Sequence, residues 1–239
     1  MSKTILVTGA SSGIGRAIAI ACASKGMRVV LTARNKERLQ ETYAQMEGDG
    51  HVIIAADLTD RAQREALAEQ VPALDGIVHC AGIGSRVLCK MLEQDDVQRV
   101  MEANFHATVL LQAALLQEKK IAVGSSIVFI ASSAATMPSV GNAIYSASKA
   151  AIIAYAKCLA LELAPRKIRV NCISPAMVWT NLALVGATEE QLREAEQAYP
   201  LKRYAQPEDI APMAVYLLSD EAEWVTGSNF ELTGGALTL

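Results

Sequence analysis

Short apolar runs alternate along this chain with longer stretches in which apolar positions recur every three to four residues. The short runs fall at 4–7, 28–31, 52–55, 76–79, 126–130 and 169–172 and are rich in Val and Ile, the residues that suit a strand. Between them, 16–21, 37–46, 61–70, 95–117 and 142–163 carry helical spacing. A helix at 207–217 and a strand at 229–232 close the series. This alternation predicts β-α-β units and a parallel α/β sheet with helices on both faces, three layers in all. No proline- or serine-rich linker and no repeat divides the chain, so residues 1–239 are read as one domain.

Two of the helices carry more apolar surface than one sheet can cover. In 142–163, Ala150, Ala151, Ile152, Ile153, Ala154, Ala156, Leu159, Ala160, Leu161 and Leu163 leave almost no polar face. A helix apolar all round asks for burial on two sides. Helix 95–117 has a similar stripe in Val109, Leu110, Leu111, Ala114 and Leu115. A second copy of the chain is the expected cover, giving a homodimer or homotetramer.

Composition narrows the class. With 51% hydrophobic residues the chain has enough apolar mass for one large core, and a net charge of −3 gives no sign of a nucleic-acid partner. The apolar run at the N-terminus is only four residues long, too short for a secretory signal. The five cysteines, Cys22, Cys80, Cys89, Cys158 and Cys172, are scattered without a Cys-x-x-Cys pair. Free thiols in a reducing cytoplasm are expected, with no metal and no membrane partner. His51, His79 and His106 are equally dispersed and read as packing or surface residues.

Chemistry concentrates in two places. The strand 4–7 leads into Thr8-Gly9-Ala10-Ser11-Ser12-Gly13-Ile14-Gly15 and then into a helix. Glycines let a backbone approach a phosphate, and a helix N-terminus offers free N–H groups and a positive dipole end. The spacing is Gly-x-x-x-Gly-x-Gly, neither the common Gly-x-Gly-x-x-Gly fingerprint nor a P-loop. The second place is Tyr145-Ser146-Ala147-Ser148-Lys149, with Ser132 thirteen residues before the tyrosine. Residues four apart on a helix share a face. An ammonium beside a phenol favours the phenolate, so the pair predicts an acid/base site for a carbonyl or alcohol, with Ser132 holding the substrate oxygen. No charged residue occurs from Ile121 to Ser148, and Lys149 ends that run. Seven serines, Pro138, Gly124, Gly141 and Asn142 exclude a membrane span there.

In this order and with this spacing the two motifs resemble the short-chain dehydrogenase/reductase family, over nearly the whole chain. The resemblance implies a Rossmann-like fold and a hydride-transferring oxidoreductase. It implies a cofactor site built from Gly9, Ser11, Ser12, Gly13, Ile14 and Gly15, with Asp57 and Leu58 at the adenine and Cys80-Ala81-Gly82 where the family usually has Asn-Ala-Gly. Pro175, Val178 and Thr180 match the segment that clasps the nicotinamide, although Ala176 replaces its usual glycine. Thr233 likewise stands where aspartate is common. Asn104, Ser132, Tyr145 and Lys149 match the catalytic tetrad, Tyr145 and Lys149 also touching the cofactor. In the family the asparagine binds a water that links the lysine to solvent, and the lysine holds the ribose hydroxyls.

Cofactor choice is read after the second strand, at Thr32-Ala33-Arg34-Asn35. An acidic residue there would bind both ribose hydroxyls and favour NAD. Ala33 takes that position and Arg34, whose planar fork suits a phosphate, follows it; NADP is expected over NAD. The substrate is a small carbonyl or alcohol. The segment 176–200, with Ala134, Met137 and Val140, is expected to line its pocket, and Met177, Trp179, Leu182, Leu184 and Tyr199 point to an apolar or amphipathic molecule. The broad likeness is to 3-oxoacyl-acyl-carrier-protein reductases. A non-catalytic NADP-binding sensor is the alternative, although such a protein often loses the tyrosine or the lysine. A sugar-nucleotide epimerase would need a larger C-terminal substrate domain.

Overall fold

The computed structural model describes residues 2–236; position 1 and positions 237–239 of the expected domain lie outside the described residues. Seven parallel strands form one sheet in the order β3-β2-β1-β4-β5-β6-β7. They are β1 (Thr4–Thr8), β2 (Arg28–Thr32), β3 (Val52–Ile53), β4 (Leu74–His79), β5 (Ile121–Ile130), β6 (Arg169–Pro175) and β7 (Asn229–Leu232). The helices are α1 (Gly13–Ser24), α2 (Lys36–Tyr43), α3 (Arg61–Gln70), α4 (Gln94–Met101), α5 (Ala107–Gln117), α6 (Ala143–Leu163), α7 (Glu189–Glu196) and α8 (Pro207–Leu218). The fold is therefore the doubly wound α/β sheet that the pattern predicts.

Period-two alternation along the strands divides the core in two. Ile5, Val7, Val29, Leu31, Val128 and Ile130 face α1 and α8, meeting Ile18, Cys22, Ile210 and Leu217. Leu6, Val30, Ile127, Phe129 and Val170 face the other way, onto Leu111 and Leu115 of α5 and Ile152 and Leu159 of α6. Both layers are dry, because these side chains are essentially inaccessible to water.

Four elements depart from the sequence reading. β3 holds only two ladder residues rather than the four of 52–55, since it is the sheet's edge. The chain still follows β2, with Ile54 and Ala56 donating to Leu31 and Ala33. β5 starts at Ile121, five residues earlier than expected, because Gly124 (φ 81°) lets the strand pass a register shift against β4. The single helix expected at 95–117 is interrupted at Glu102–His106 by a wide π turn. Finally, α7 lies inside the segment read as loop. Its start is a capping box, Thr188 and Gln191 bonding each other's backbone N–H groups.

Helix α6 is long and apolar enough to cross a membrane by length and composition, yet it packs on the sheet through Ile152, Ala156, Leu159 and Leu163. Its outer face is milder than the sequence suggests: small Ala147, Ala150 and Ala154 with Lys157 and Glu162 are exposed, and Leu161 is the large apolar exception.

Candidate active site

The chain runs outward from β1 to β3 and then returns to lay β4 against the other side of β1. The connections leaving β1 and β4 diverge at that point, opening a crevice at the carboxyl ends of the strands. The crevice is a cleft of about 570 Å³. The loops after β1, β2, β3, β4, β5 and β6 all reach it, which brings together residues spread from Gly9 to Thr180.

On the β1 side the walls are backbone. A Cβ on Gly15 would stand 2.4 Å from the Gly9 carbonyl oxygen, and one on Gly9 would stand 3.0 Å from Ala81. Gly9 and Gly13 also take positive φ, 68° and 52°, which side chains avoid. The Thr8 hydroxyl ties the two loops, accepting from the N–H groups of Cys80 (3.0 Å) and Ala81 (3.1 Å). Helices α2 and α3 are capped by Asn35 and Asp60, but Ser12 at the start of α1 makes no capping bond. The first N–H groups of α1 are thus left for a ligand at the cleft. A close-walled glycine cradle with an open helix N-terminus fits the pyrophosphate of a dinucleotide.

At the far end, Arg34 and Arg38 both line the cleft and are exposed, with Ala33 beside them. Neither guanidinium forms an ion pair among the described residues, whereas Arg16 is committed to Glu41, Thr42 and the Ser11 carbonyl. Asp57 lies nearby. Burial, the largest single influence, raises its pKa, but hydrogen bonds from the Thr59 hydroxyl and N–H, with the charge of Arg34, hold it below the usual carboxylate range.

The proton-transfer candidates sit at the other end, on the first turns of α6 and just after β5. Lys149 is buried, its Nζ donating to the Ile130 carbonyl at 2.8 Å and lying 5.9 Å from the centre of the Tyr145 ring. Tyr145, Lys149 and Ser132 line the cleft together. The Ser132 Oγ accepts from Ala134 N–H at 3.1 Å, which leaves its own hydrogen free to donate. Ser133 lines the cleft as well but is buried. Asn104 does not open onto the cleft; it is 1% exposed and braces the wall from behind. Its Oδ1 accepts from Ile83 N–H (2.7 Å) and its Nδ2 donates to the Ile83 carbonyl and to Ser148 Oγ. A Cβ on Gly82 would touch Asn104 Oδ1 at 3.1 Å and Lys149 Nζ at 3.6 Å, so a glycine here lets the loop pass close to both. The π turn places Asn104 here, an interruption of the kind often found at functional sites.

All the expected cofactor residues line the cleft, from Gly9 to Thr180. Several apolar residues expected there do not. Trp179 turns away, packing at a tilt on Tyr204 and donating Nε1–H to Glu196 at 2.9 Å, and Leu184 and Val140 are absent from the lining. Met177, Leu182 and Tyr199 do line it, joined by Val185. Sequence reasoning placed Thr8 in the glycine motif without a role for its hydroxyl, and gave no role to Arg38 or Arg86. Arg38 was within reach, since it lies in the first turn of the helix that follows Arg34; Arg86 carries no local signal. Burial pushes the Cys80 thiol up, so it stays protonated in the cleft wall.

A family model described as enoyl-(acyl carrier protein) reductase matches residues 9–236. D-threitol dehydrogenase of Mycolicibacterium smegmatis is 36% identical over 239 residues, covering 98% of this chain and 92% of the relative. The 3-oxoacyl-acyl-carrier-protein reductase FabG of Rickettsia conorii is 33% identical over 238 residues, covering 99% and 98%. Among solved structures, a variant of actinorhodin polyketide ketoreductase with NADPH superposes with a TM-score of 0.88 at 30% identity, over 98% of this chain and 97% of that one. These matches run the length of the sheet and its cleft and leave a non-catalytic sensor without support; the chain belongs to the short-chain dehydrogenase/reductase family and is a hydride-transferring oxidoreductase of carbonyl and alcohol groups.

Proposed function

We propose that the chain is an NADP(H)-dependent reductase of ketones, running in reverse on secondary alcohols, with Tyr145 as its acid and base. The observation that carries this reading is the convergence of Tyr145, the buried Lys149 and the donor-ready Ser132 on one end of the cleft. The nicotinamide supplies the hydride when bound. Ser132 donates to the substrate oxygen and fixes it. Tyr145 gives that oxygen its proton, and the charge of Lys149 favours the phenolate left behind. Lys149 spends one donor on Ile130, leaving two for ribose hydroxyls and solvent. Asn104 holds the Ile83 backbone and Ser148 in register with the lysine. Thr180 and Val178, on the strap after β6, would clasp the carboxamide.

The NADP preference rests on Arg34 and Arg38, two guanidinia at the adenosine end without an ion pair among the described residues, with Ala33 rather than an acid directly after β2. Another relative, named an NAD-dependent glycerol dehydrogenase, from Listeria innocua, is 31% identical over 237 residues, covering 98% of this chain and 93% of the relative. Direct titration of both cofactors is therefore part of the test. The five free cysteines suit a cytoplasmic setting. Exposed Leu110 and Leu161 on α5 and α6 suit a homodimer or tetramer, which sedimentation would weigh.

The deciding experiment replaces Tyr145 with phenylalanine and follows NADPH oxidation with keto-esters, keto-acyl thioesters and diketones. Loss of the acid should lower turnover by about 10²–10⁴-fold with cofactor affinity kept. A variant as fast as the wild type would remove Tyr145 from the mechanism.

A further inference from the structure

Proton transfer leaves one cation in the cleft unused. Arg86 lies on the loop after β4, and its stem threads between two glycines from separate loops. A Cβ on Gly186 would stand 3.0 Å from its Cδ, and one on Gly141 would stand 3.2 Å from its Cγ. Both glycines take positive φ, 77° and 82°, so neither position readily takes a side chain in place of the arginine stem. Val87 N–H donates to the Gly141 carbonyl at 2.8 Å, fixing the loop of Arg86 to the one that leads into α6. The stem of a long, otherwise exposed side chain is thereby held between two loops before any ligand arrives.

The guanidinium itself makes no hydrogen bond or ion pair among the described residues. Among the described residues Asp57 is the one carboxylate lining the cleft, and it belongs to the opposite, adenosine end with Arg34 and Arg38. Around Arg86 the lining is Ser139, Leu182 and Val185, uncharged throughout. The preceding residue, Ser85, also lines the cleft, only 5% exposed, and its hydroxyl is buried with no hydrogen-bond partner among the described residues. A buried hydroxyl left unpaired is costly unless a ligand oxygen meets it. A planar fork of donors with no protein partner, exposed at the cleft, suits one chemistry, an oxyanion.

We propose that Arg86 holds a negatively charged group of the substrate, a carboxylate or a phosphate ester. The substrate of this enzyme is then an anionic ketone or its alcohol rather than a neutral one. The inference rests on the reductase reading for its substrate class, and Arg86 acts by binding and orientation, taking no part in proton transfer.

The test compares charged and neutral twins in wild type, Arg86→Gln and Arg86→Lys with NADPH. One arm uses straight-chain oxo acids of increasing length, each beside its methyl ester; the other sets dihydroxyacetone phosphate beside dihydroxyacetone. Wild type should prefer at least one charged twin by about tenfold or more in kcat/KM, the worth of one charge-assisted bond. That ratio should fall towards one in Arg86→Gln and recover in part in Arg86→Lys. The arm that shows the preference tells carboxylate from phosphate. A wild-type ratio near one in both arms, or a ratio that survives in Arg86→Gln, overturns the proposal. Calorimetric titration of the same charged probes into the NADP-loaded protein separates the two readings. Binding that Arg86→Gln abolishes upholds the anion site even where nothing is turned over. No binding of any charged probe to wild type overturns it whatever the turnover.

Discussion

The two ends of the cleft are built by different means. At the cofactor end backbone lies against backbone, as at Gly15, where a Cβ would meet the Gly9 carbonyl at 2.4 Å. At the substrate end the walls are side chains. A Cβ on Gly84 would meet only Leu182 and Val185, at 3.4 Å. The first end rests on the sheet, through the Thr8 hydroxyl and the start of α1. The second hangs on a segment with a small core of its own, Leu192, Tyr199, Tyr204 and Ala236, pinned where Glu196 accepts from Trp179 and Tyr204. Such a contrast suits a rigid grip on a cofactor and an adjustable wall toward a substrate.

Substituting glycines at the two ends gives the sharpest test. Gly15→Ala forces a carbon into a backbone carbonyl, so overpacking of about 1–3 kcal/mol or more is expected in thermal unfolding, with cofactor affinity down by about a hundredfold. Ordinary cofactor binding in that variant would break the contrast. Arg34→Ala comes next. Each bond to a charged group contributes about 1.5–3 kcal/mol, so NADPH should weaken by about ten- to a hundredfold while NADH barely moves, as read by fluorescence titration of each. Equal losses would make Arg34 a structural residue and withdraw the NADP assignment.

Acid probes the foundation of the cofactor end. His79 closes β4, stacks on Phe129 and bonds Gln112 at 2.9 Å, and burial lowers its pKa to about 4 from 6.5. Between those values the unfolded chain takes up a proton that the native protein refuses. Stability should therefore fall as pH drops from about 6.5 towards 4, by something on the order of 3 kcal/mol, with no contribution above that window. Urea titrations across that range should be flatter for His79→Asn than for wild type; an unchanged slope would assign the acid sensitivity elsewhere. The smallest effect is expected at Gly84→Ala, whose neighbours are flexible side chains: unfolding shifted by no more than about 0.5 kcal/mol and cofactor titration unchanged. A loss comparable to that of Gly15→Ala would show the substrate wall to be as stiff as the other.

What the sequence made legible divides along the same line. Glycine spacing, the Tyr145–Lys149 interval and the strand pattern are local signals, and each fixes a backbone conformation or a helix face within a few residues. Asn104 was named, yet the π turn that presents it was not visible, because a widened turn leaves the apolar spacing on either side intact. Trp179 and Leu184 were placed in the pocket on hydrophobicity alone, and the fold turns Trp179 onto Tyr204 instead. Arg86 carried no signal at all. Its setting depends on Gly141 and Gly186, respectively 55 and 100 positions further along the chain.

The uncapped start of α1 has a consequence for the protein's life in a cell. A helix end whose N–H groups are completed by a ligand makes that ligand part of the native state, and saturation at a hundred times Kd adds about 2.7 kcal/mol to unfolding. Supply of nicotinamide dinucleotide would then set abundance as well as rate. The chain would be most exposed to proteases when the pool is drained, and a weak-binding variant would be lost as polypeptide before its activity was missed.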